Sequence, residues 1–282
     1  MKKKQREVSK TLIAGPWVGE FGWELFAWQA YIRALSENFD RTVCLARETS
    51  RFLYEDFADE FISYDATGGA ADSFFMHNHT IDKRYLGDIF KRFSGGTITW
   101  VPPKRIGMPP HTHYDEKQPF GILQVKPKYI KFGAPAEKKD HIIFHARSRD
   151  LREEDNWSSD NWKKLASFFV KDGREVYSIG TLEQSLHVEG TIDLRGAPLK
   201  ETTRLLAEAG AALGPSSGPM HLASLCGCPH VVWGDRSLSQ YRYEENWNPH
   251  QTSVLFLDEY EWNPAPKYVY SKYKEWRKEK AL

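Results

Sequence analysis

Apolar positions change their period twice within the first fifty residues. Residues 11–15 (TLIAG) form a short, β-leaning apolar run that stops at Gly15 and Pro16. Leu25, Trp28, Ile32 and Leu35 then recur at steps of three and four, marking one face of a helix over 23–36. Residues 42–46 form the next apolar run, so strand, glycine-bearing loop, helix and strand make a βαβ opening. The pattern goes on to predict a strand at 61–64, a helix over 81–93 and a strand at 97–101.

Between 101 and 135 the texture changes. Pro102, Pro103, Pro109, Pro110, Pro119, Pro127 and Pro135 interrupt any long element, and the stretch reads as a connector between domains. From 141 onward the sequence predicts strands at 141–145, 175–179, 192–194, 211–213 and 230–233, with helices over 161–171, 199–209 and 220–226. Strands alternating with helices at this pace indicate a doubly wound parallel sheet, so the fold class is α/β, in two halves. Such halves take their ligands in a cleft at the carboxyl ends of the strands.

Composition narrows the function classes. A chain of 282 residues with 40% hydrophobic and 27% charged residues has a globular composition and room for about two domains. Aromatic residues, at 14%, are the unusual component. Lys and Arg total 39 against 38 Asp and Glu, so net charge alone gives no reason to propose a nucleic-acid or membrane partner. The charge is uneven, however: the first ten residues sum to +4, the segment from Lys267 onward to +4, and the body between them to −7, in a chain of +1 overall. Three cysteines, Cys44, Cys226 and Cys228, make no disulfide framework and suit a reducing cytoplasm. No apolar stretch approaches the ~20 residues of a membrane span, and the short apolar run after the basic start is broken by Gly15 and Pro16, unlike a signal peptide.

Three segments carry candidate chemistry. In residues 213–235 (LGPSSGPMHLASLCGCPHVVWGD) a predicted strand runs into a Gly/Ser/Pro loop with a helix directly behind it. Free backbone N–H groups and the dipole at such a helix start favour a phosphate-type anion, with His221 in the first turn in reach of it. A second cluster, His145, Arg147, Ser148 and Arg149, lies at the end of a predicted strand, where a guanidinium fork suits a diphosphate. The competing structural reading pairs Arg149 with Asp150 or Glu153 on a solvated surface. In the loop GPWVGEFGWELFAWQA, Glu20 and Glu24 are the candidate general bases, with Glu20 preferred because it stands in the loop, whereas Glu24 also serves a helix dipole. Cys226 and Cys228 read as packing residues, and His77, Asn78 and His79, like His111, His113 and Asp115, lack the partner motifs of metal or nuclease sites. No metal site is expected.

The string Ser217, Gly218, Pro219, Met220, His221, Leu222, Ala223, followed by Gly227, Pro229, Val231 and Gly234, resembles glycosyltransferase family 9, the heptosyltransferase-like enzymes, with their pattern close to DSGPMHLAxxLGxPxVxLFG. The likeness extends upstream through residues 145–162, 177–180 and 192–209, about a third of the chain in all. The family's Asp is replaced by Ser216, and the HxR start at His145 is similar to the arginine motif of α1,6-fucosyltransferase-like enzymes. Gly19, Gly22, Leu25, Phe26 and Ala30 keep the texture of the first glycine-rich turn of such enzymes, with Trp23 where the heptosyltransferase-like group has Asp.

The resemblance implies a GT-B architecture, two Rossmann-like doubly wound domains facing a cleft. The first covers 1–135 with the Pro-rich connector and takes the acceptor; the second, 136–265, holds a nucleotide-sugar donor; and a helix over 266–282 returns to the first. It implies donor-binding roles for His145, Arg147, Ser148, Arg149, Gly180, Ser216, Ser217, Gly218, Pro219, Met220 and His221. The expected reaction is metal-independent, inverting sugar transfer to an acceptor hydroxyl, with no cofactor beyond the donor. Alternatives are a non-catalytic nucleotide- or glycan-binding relative and a transferase acting on modified bases of nucleic acid. Basic chain ends gathered on the first domain would favour an anionic acceptor.

Overall fold

In the computed structural model the described residues are 9–17, 19–64, 83–103, 125–134, 136–150, 152–235 and 241–281. The expectations for the basic residues of 1–8, for His77–His79 and for His111, His113 and Asp115 therefore lie outside them. The chain divides into two compact units, Met1–Lys128 and Tyr129–Leu282. The division falls inside the Pro-rich stretch but ahead of residue 135. Phe132 is buried, its N–H donates to the Leu225 carbonyl at 3.0 Å, and a Cβ on Gly133 would meet the Thr203 carbonyl, so these residues already belong to the second unit.

The first unit is a four-stranded parallel sheet: β1 (Lys10–Ala14), β2 (Arg41–Ala46), β3 (Glu60–Ser63) and β4 (Thr97–Val101), in the order β3-β2-β1-β4. Between β1 and β2 run three consecutive helical pieces, α1 (Phe21–Trp23), a π-helical turn (Glu24–Trp28) and α2 (Gln29–Ser36). The helix α3 (Lys83–Arg92) brings Leu86 and Ile89, with Phe93 just beyond its end, against Ile13, Val43 and Leu45 of the sheet. Spacings of three and four put those side chains on one face, while Lys91 and Arg92 close the last turn, where cations complement the helix dipole.

The second unit is a six-stranded parallel sheet: β5 (Ile142–Phe144), β6 (Val176–Ser178), β7 (Ile192–Asp193), β8 (Ala211–Pro215), β9 (His230–Trp233) and β10 (Val254–Leu257). Its order, β10-β9-β8-β5-β6-β7, is the Rossmann arrangement, with the reversal of strand order between β5 and β8. Helices α4 (Ser159–Lys171), α5 (Leu199–Glu208) and α6 (Gly218–Cys226) connect the strands; α4 is capped by Ser158, whose Oγ accepts the Asn161 N–H at 3.2 Å. Part of the aromatic content lies in this core: Trp157, Trp162 and Trp233 pack with ring centroids 5.0–5.4 Å apart, and Phe144 and Phe169 extend the cluster.

The last helix, α7 (Pro266–Lys280), corrects the expectation that residues 266–282 return to the first domain. Val269, Tyr273 and Trp276, at steps of four and three, form a buried stripe in the core of the second unit, where Tyr273 meets Phe169 edge-on at 5.0 Å. Two of its cations pair with the body of that unit, Lys274 with Asp172 at 2.9 Å and Arg277 with Asp140 at 2.7 Å. The apolar stripe decides the docking, since each fully buried side chain of this size contributes about 1.5–3 kcal/mol, against at most about 1 kcal/mol for an exposed ion pair. The three cysteines are buried free thiols, and no helix among the described residues is long and apolar enough to cross a membrane.

Candidate functional site

The reversal of strand order between β5 and β8 sends their carboxyl ends into two neighbouring loops, His145–Arg149 and Ser216–Gly218. His145 extends the ladder, its N–H donating to the Leu213 carbonyl at 3.1 Å, and its Nδ1 lies 2.9 Å from the Ser217 Oγ. Burial, reinforced by Arg147, pulls the imidazole down to about 3, so the ring is neutral at physiological pH. Gly180, at the end of β6, has φ +130°, and a Cβ there would stand 2.5 Å from the Ser185 Oγ and 3.1 Å from the His145 ring. Glycine is what lets this turn close against the histidine.

Arg147 ties the two loops together. It is 5% exposed; its guanidinium donates to the Ser216 carbonyl at 2.8 Å and to the Asp155 carbonyl at 2.6 Å, and lies over the Trp262 ring at 4.8 Å. Arg149 pairs with the Asp155 carboxylate at 3.1 Å, which corrects the alternative pairing with Asp150 or Glu153. The same carboxylate lies 3.5 Å from Arg147 and 4.0 Å from Arg152, so three guanidinium groups converge on one acid. The Nε atoms of Arg147 and Arg149 are buried with no hydrogen-bond partner. The Ser148 N–H donates to the Gln184 carbonyl at 2.9 Å, fixing the loop backbone between the two arginines.

Ser217 precedes α6 but does not cap it, because its hydroxyl is committed to His145. Its N–H donates to the Tyr243 Oη at 3.0 Å, and Tyr243 donates back to the Ser217 carbonyl at 3.2 Å. Gly218 opens the helix and Pro219 brings no N–H, so the Gly218 and Met220 amides are the donors of the first turn that no preceding helical carbonyl can satisfy. His221 stacks on Tyr243 with centroids 4.1 Å apart and planes within 11°, and meets Trp247 edge-on. Burial holds the His221 imidazole well below its ordinary value.

Met220 is the residue of the expected donor set that turns inward: it is 1% exposed, and a Cβ on Gly214 would stand 3.0 Å from its sulfur. The structure thus gathers His145, Arg147, Arg149, Gly180, Ser216, Ser217, Gly218 and the stacked His221 at one sheet edge, with Ser148 and Pro219 in the same loops. Sequence reasoning missed Asp155, Tyr243 and Trp262. Asp155 sits in a run of acids, Glu153, Glu154, Asp155, of which it alone is buried.

Glu20 and Glu24 belong to the first unit, after β1. Glu20 is half-buried and extended (φ −63°, ψ 147°) just ahead of α1, and its carbonyl accepts the Glu24 N–H at 3.0 Å. The Gly19 carbonyl beside it accepts from Arg47 at 2.8 Å. Glu24 is 1% exposed; its two oxygens accept from Ser50 at 2.8 Å and Tyr54 at 2.7 Å. Desolvation raises its carboxyl to about 7, against the lowering effect of those hydrogen bonds and of Arg47. Two carboxylates four residues apart therefore differ in setting, Glu20 half-buried in the loop and Glu24 enclosed in the π-helical turn.

No protein-family model matches the chain, and no curated protein matches it. Among solved structures it is similar to a glycosyl transferase of family 9 from Veillonella parvula, with 13% identity and a TM-score of 0.62 over 98% of this chain and 99% of that one. The ADP-heptose lipopolysaccharide heptosyltransferase II of E. coli matches with 15% identity and a TM-score of 0.62 over 97% and 100% of the two chains. The E. coli heptosyltransferase WaaC, solved with ADP, matches with 11% identity and a TM-score of 0.59 over 95% and 99%. At these identities the likeness lies in the fold: two Rossmann-like parallel α/β units, the GT-B fold of the family 9 heptosyltransferases, over nearly the whole chain.

Proposed function

We propose that the protein is a glycosyltransferase that moves a sugar from a nucleotide-sugar donor to an acceptor hydroxyl, with inversion and without a metal, in the cytoplasm. The observation that carries this reading is the pair of loops at the carboxyl ends of β5 and β8, which brings the enclosed guanidinium groups of Arg147 and Arg149 and the amides that open α6 to one edge, donors suited to an anion. Support for a nucleoside diphosphate comes from the fold neighbours, one solved with ADP and one named for ADP-heptose. As the bond from the sugar C1 to the diphosphate oxygen breaks, negative charge grows on the departing nucleoside diphosphate. Arg149, the loop held by Arg147 and the Gly218 amide stabilise that charge in place, with little reorganisation. The proton of the acceptor oxygen goes to Glu20 as that oxygen bonds to C1. Glu20 is preferred to Glu24 because it is half-buried and stands in the loop ahead of α1, whereas the Glu24 carboxyl is enclosed at 1% exposure.

Thermal shift across UDP-, GDP-, ADP- and CMP-sugars tests the donor, since a ligand at 100 times its Kd stabilises by about 2.7 kcal/mol. The right donor raises Tm, and Glu20→Gln then slows transfer by about 10²–10⁴ while keeping that shift. No shift with any donor sinks the reading. A shift in wild type with no turnover for any acceptor class leaves a nucleotide-sugar binder instead.

A further inference from the structure

We infer that Asp155 is a positioning residue of the donor site: it and its neighbour Asn156 clamp the arginine loop after β5 in the conformation that receives a diphosphate. The inference rests on the donor reading above and adds a residue to which the resemblance gives no role. Asp155 grips the loop from both of its own ends. Its backbone carbonyl takes the Arg147 side chain at 2.6 Å and its carboxylate takes Arg149 at 3.1 Å. Asn156 completes the clamp: its Oδ1 accepts the Arg149 N–H at 3.3 Å and its Nδ2 donates to the Arg149 carbonyl at 2.7 Å. Through Arg147 the clamp reaches the Ser216 carbonyl, one residue before the serine that bonds His145 and leads into α6. Both loops of the candidate site are thereby fixed by one short segment.

The charge count separates this arrangement from an ordinary structural ion pair. Arg147 and Arg149 have side chains only 7% and 12% exposed, and among the described residues both pair with one carboxylate, that of Asp155, itself 7% exposed. Buried positive charge in excess of its counter-charge is costly, and a bound anion relieves it. Burial and the adjacent Arg149 pull the Arg147 guanidinium down to about 10, as expected where positive charge lacks a full counter-charge. The remaining charged groups of the loop, Asp150, Arg152, Glu153 and Glu154, are exposed and screened.

The test uses the full chain, with inorganic pyrophosphate and ADP, GDP and UDP as calorimetric probes. Asp155→Asn removes a negative charge next to the site, so charge alone predicts tighter binding of the diphosphate. Positioning predicts the opposite: at least tenfold weaker binding of pyrophosphate and of the preferred nucleoside diphosphate, with affinity for the matching nucleoside unchanged within twofold. Glu153→Gln makes the same charge change at an exposed position and leaves diphosphate binding equal to wild type or tighter. Should Asp155→Asn fail to fold, Asp155→Glu keeps the charge and displaces it by one methylene, and is expected to weaken pyrophosphate binding at least threefold. Diphosphate binding by Asp155→Asn, or in that event by Asp155→Glu, as tight as wild type overturns the inference. Loss of nucleoside affinity in equal measure also overturns it, by showing general damage. Absence of binding by wild type to every diphosphate sinks the donor reading itself, a result distinguishable from the others.

Discussion

The two units use one topology and equip it with opposite charges. Each is a parallel sheet whose strand order reverses next to its first strand, between β1 and β4 in one and between β5 and β8 in the other. At that reversal the first unit has two carboxylates, Glu20 in the loop and Glu24 enclosed at the start of the π-helical turn, whereas in the second Arg147 and Arg149 pair with Asp155. Burial acts on both sets in the same physical way, disfavouring the charged form. In the first unit it drives the Glu24 carboxyl toward neutrality, and in the second the Arg147 guanidinium stays charged even when pulled down. A base and an anion receptor can thus come from the same scaffold by loop chemistry alone.

That contrast is open to direct attack. Glu20→Gln is expected to lower kcat by about 10²–10⁴ with donor binding intact, the span typical of losing a general base; steady-state kinetics with the matched donor would show it. Equal activity would move the base elsewhere and break the contrast. Arg147→Ala should cost about 10²–10³ in transfer, as for loss of an oxyanion-type donor. Since the Ser216 and Asp155 carbonyls lose a partner, stability should also fall by about 1–3 kcal/mol in denaturant melts. Trp276→Ala is expected to remove about 3–5 kcal/mol from the second unit, and hydrogen exchange that loosened the first unit instead would refute the docking of α7 described above.

The subtlest difference is in pH dependence. His145 and His230 are held at about 3 and 4 in the folded chain, and His221 is likewise lowered, against an unfolded value near 6.5. Their contribution to stability is full above pH 6.5 and is lost as pH falls toward 4 and then 3. Glu24 runs the other way: raised to about 7, it contributes fully below its unfolded value near 4.5, and that contribution is lost as pH rises through 7. Hydrogen exchange corrected for intrinsic rates should therefore show the second unit loosening near pH 5 and the first near pH 8.5. Glu24→Gln should remove the alkaline loss and leave the acid one.

Much of the architecture was legible because buried parallel strands such as β1, β2, β5, β8 and β9 read as apolar runs, and nine of the ten strands among the described residues lie where the sequence predicts one. The exception, β10, is a four-residue VLFL run after a polar stretch, too short for periodicity to separate strand from helix. The π-helical turn was hidden for a different reason: every residue of Glu24–Trp28 is buried, so no polar face marks the extra residue. Leu25, Trp28, Ile32 and Leu35 still satisfy a plain helical period. In the site, the loops and helix start were visible from residue type and order, while Asp155 was not, because three consecutive acids carry no sign of which one the fold encloses. The expected return of the last helix to the first domain came from the resemblance, whereas Val269, Tyr273 and Trp276 decide where it lies.

The indole cluster behind the arginine loop gives the second unit an optical reporter of its own. Trp157 follows directly on the Asp155–Asn156 clamp, its ring 5.0 Å from both Trp162 and Trp233, and Trp262 covers Arg147 at 4.8 Å. Rings this close exchange excitation before they emit, so a shift of the clamp is read by the cluster together. Intrinsic fluorescence is expected to change when a ligand fills the proposed site, and a Trp262→Phe variant would separate the part of that change that arises over the arginine from the part that arises in the triad.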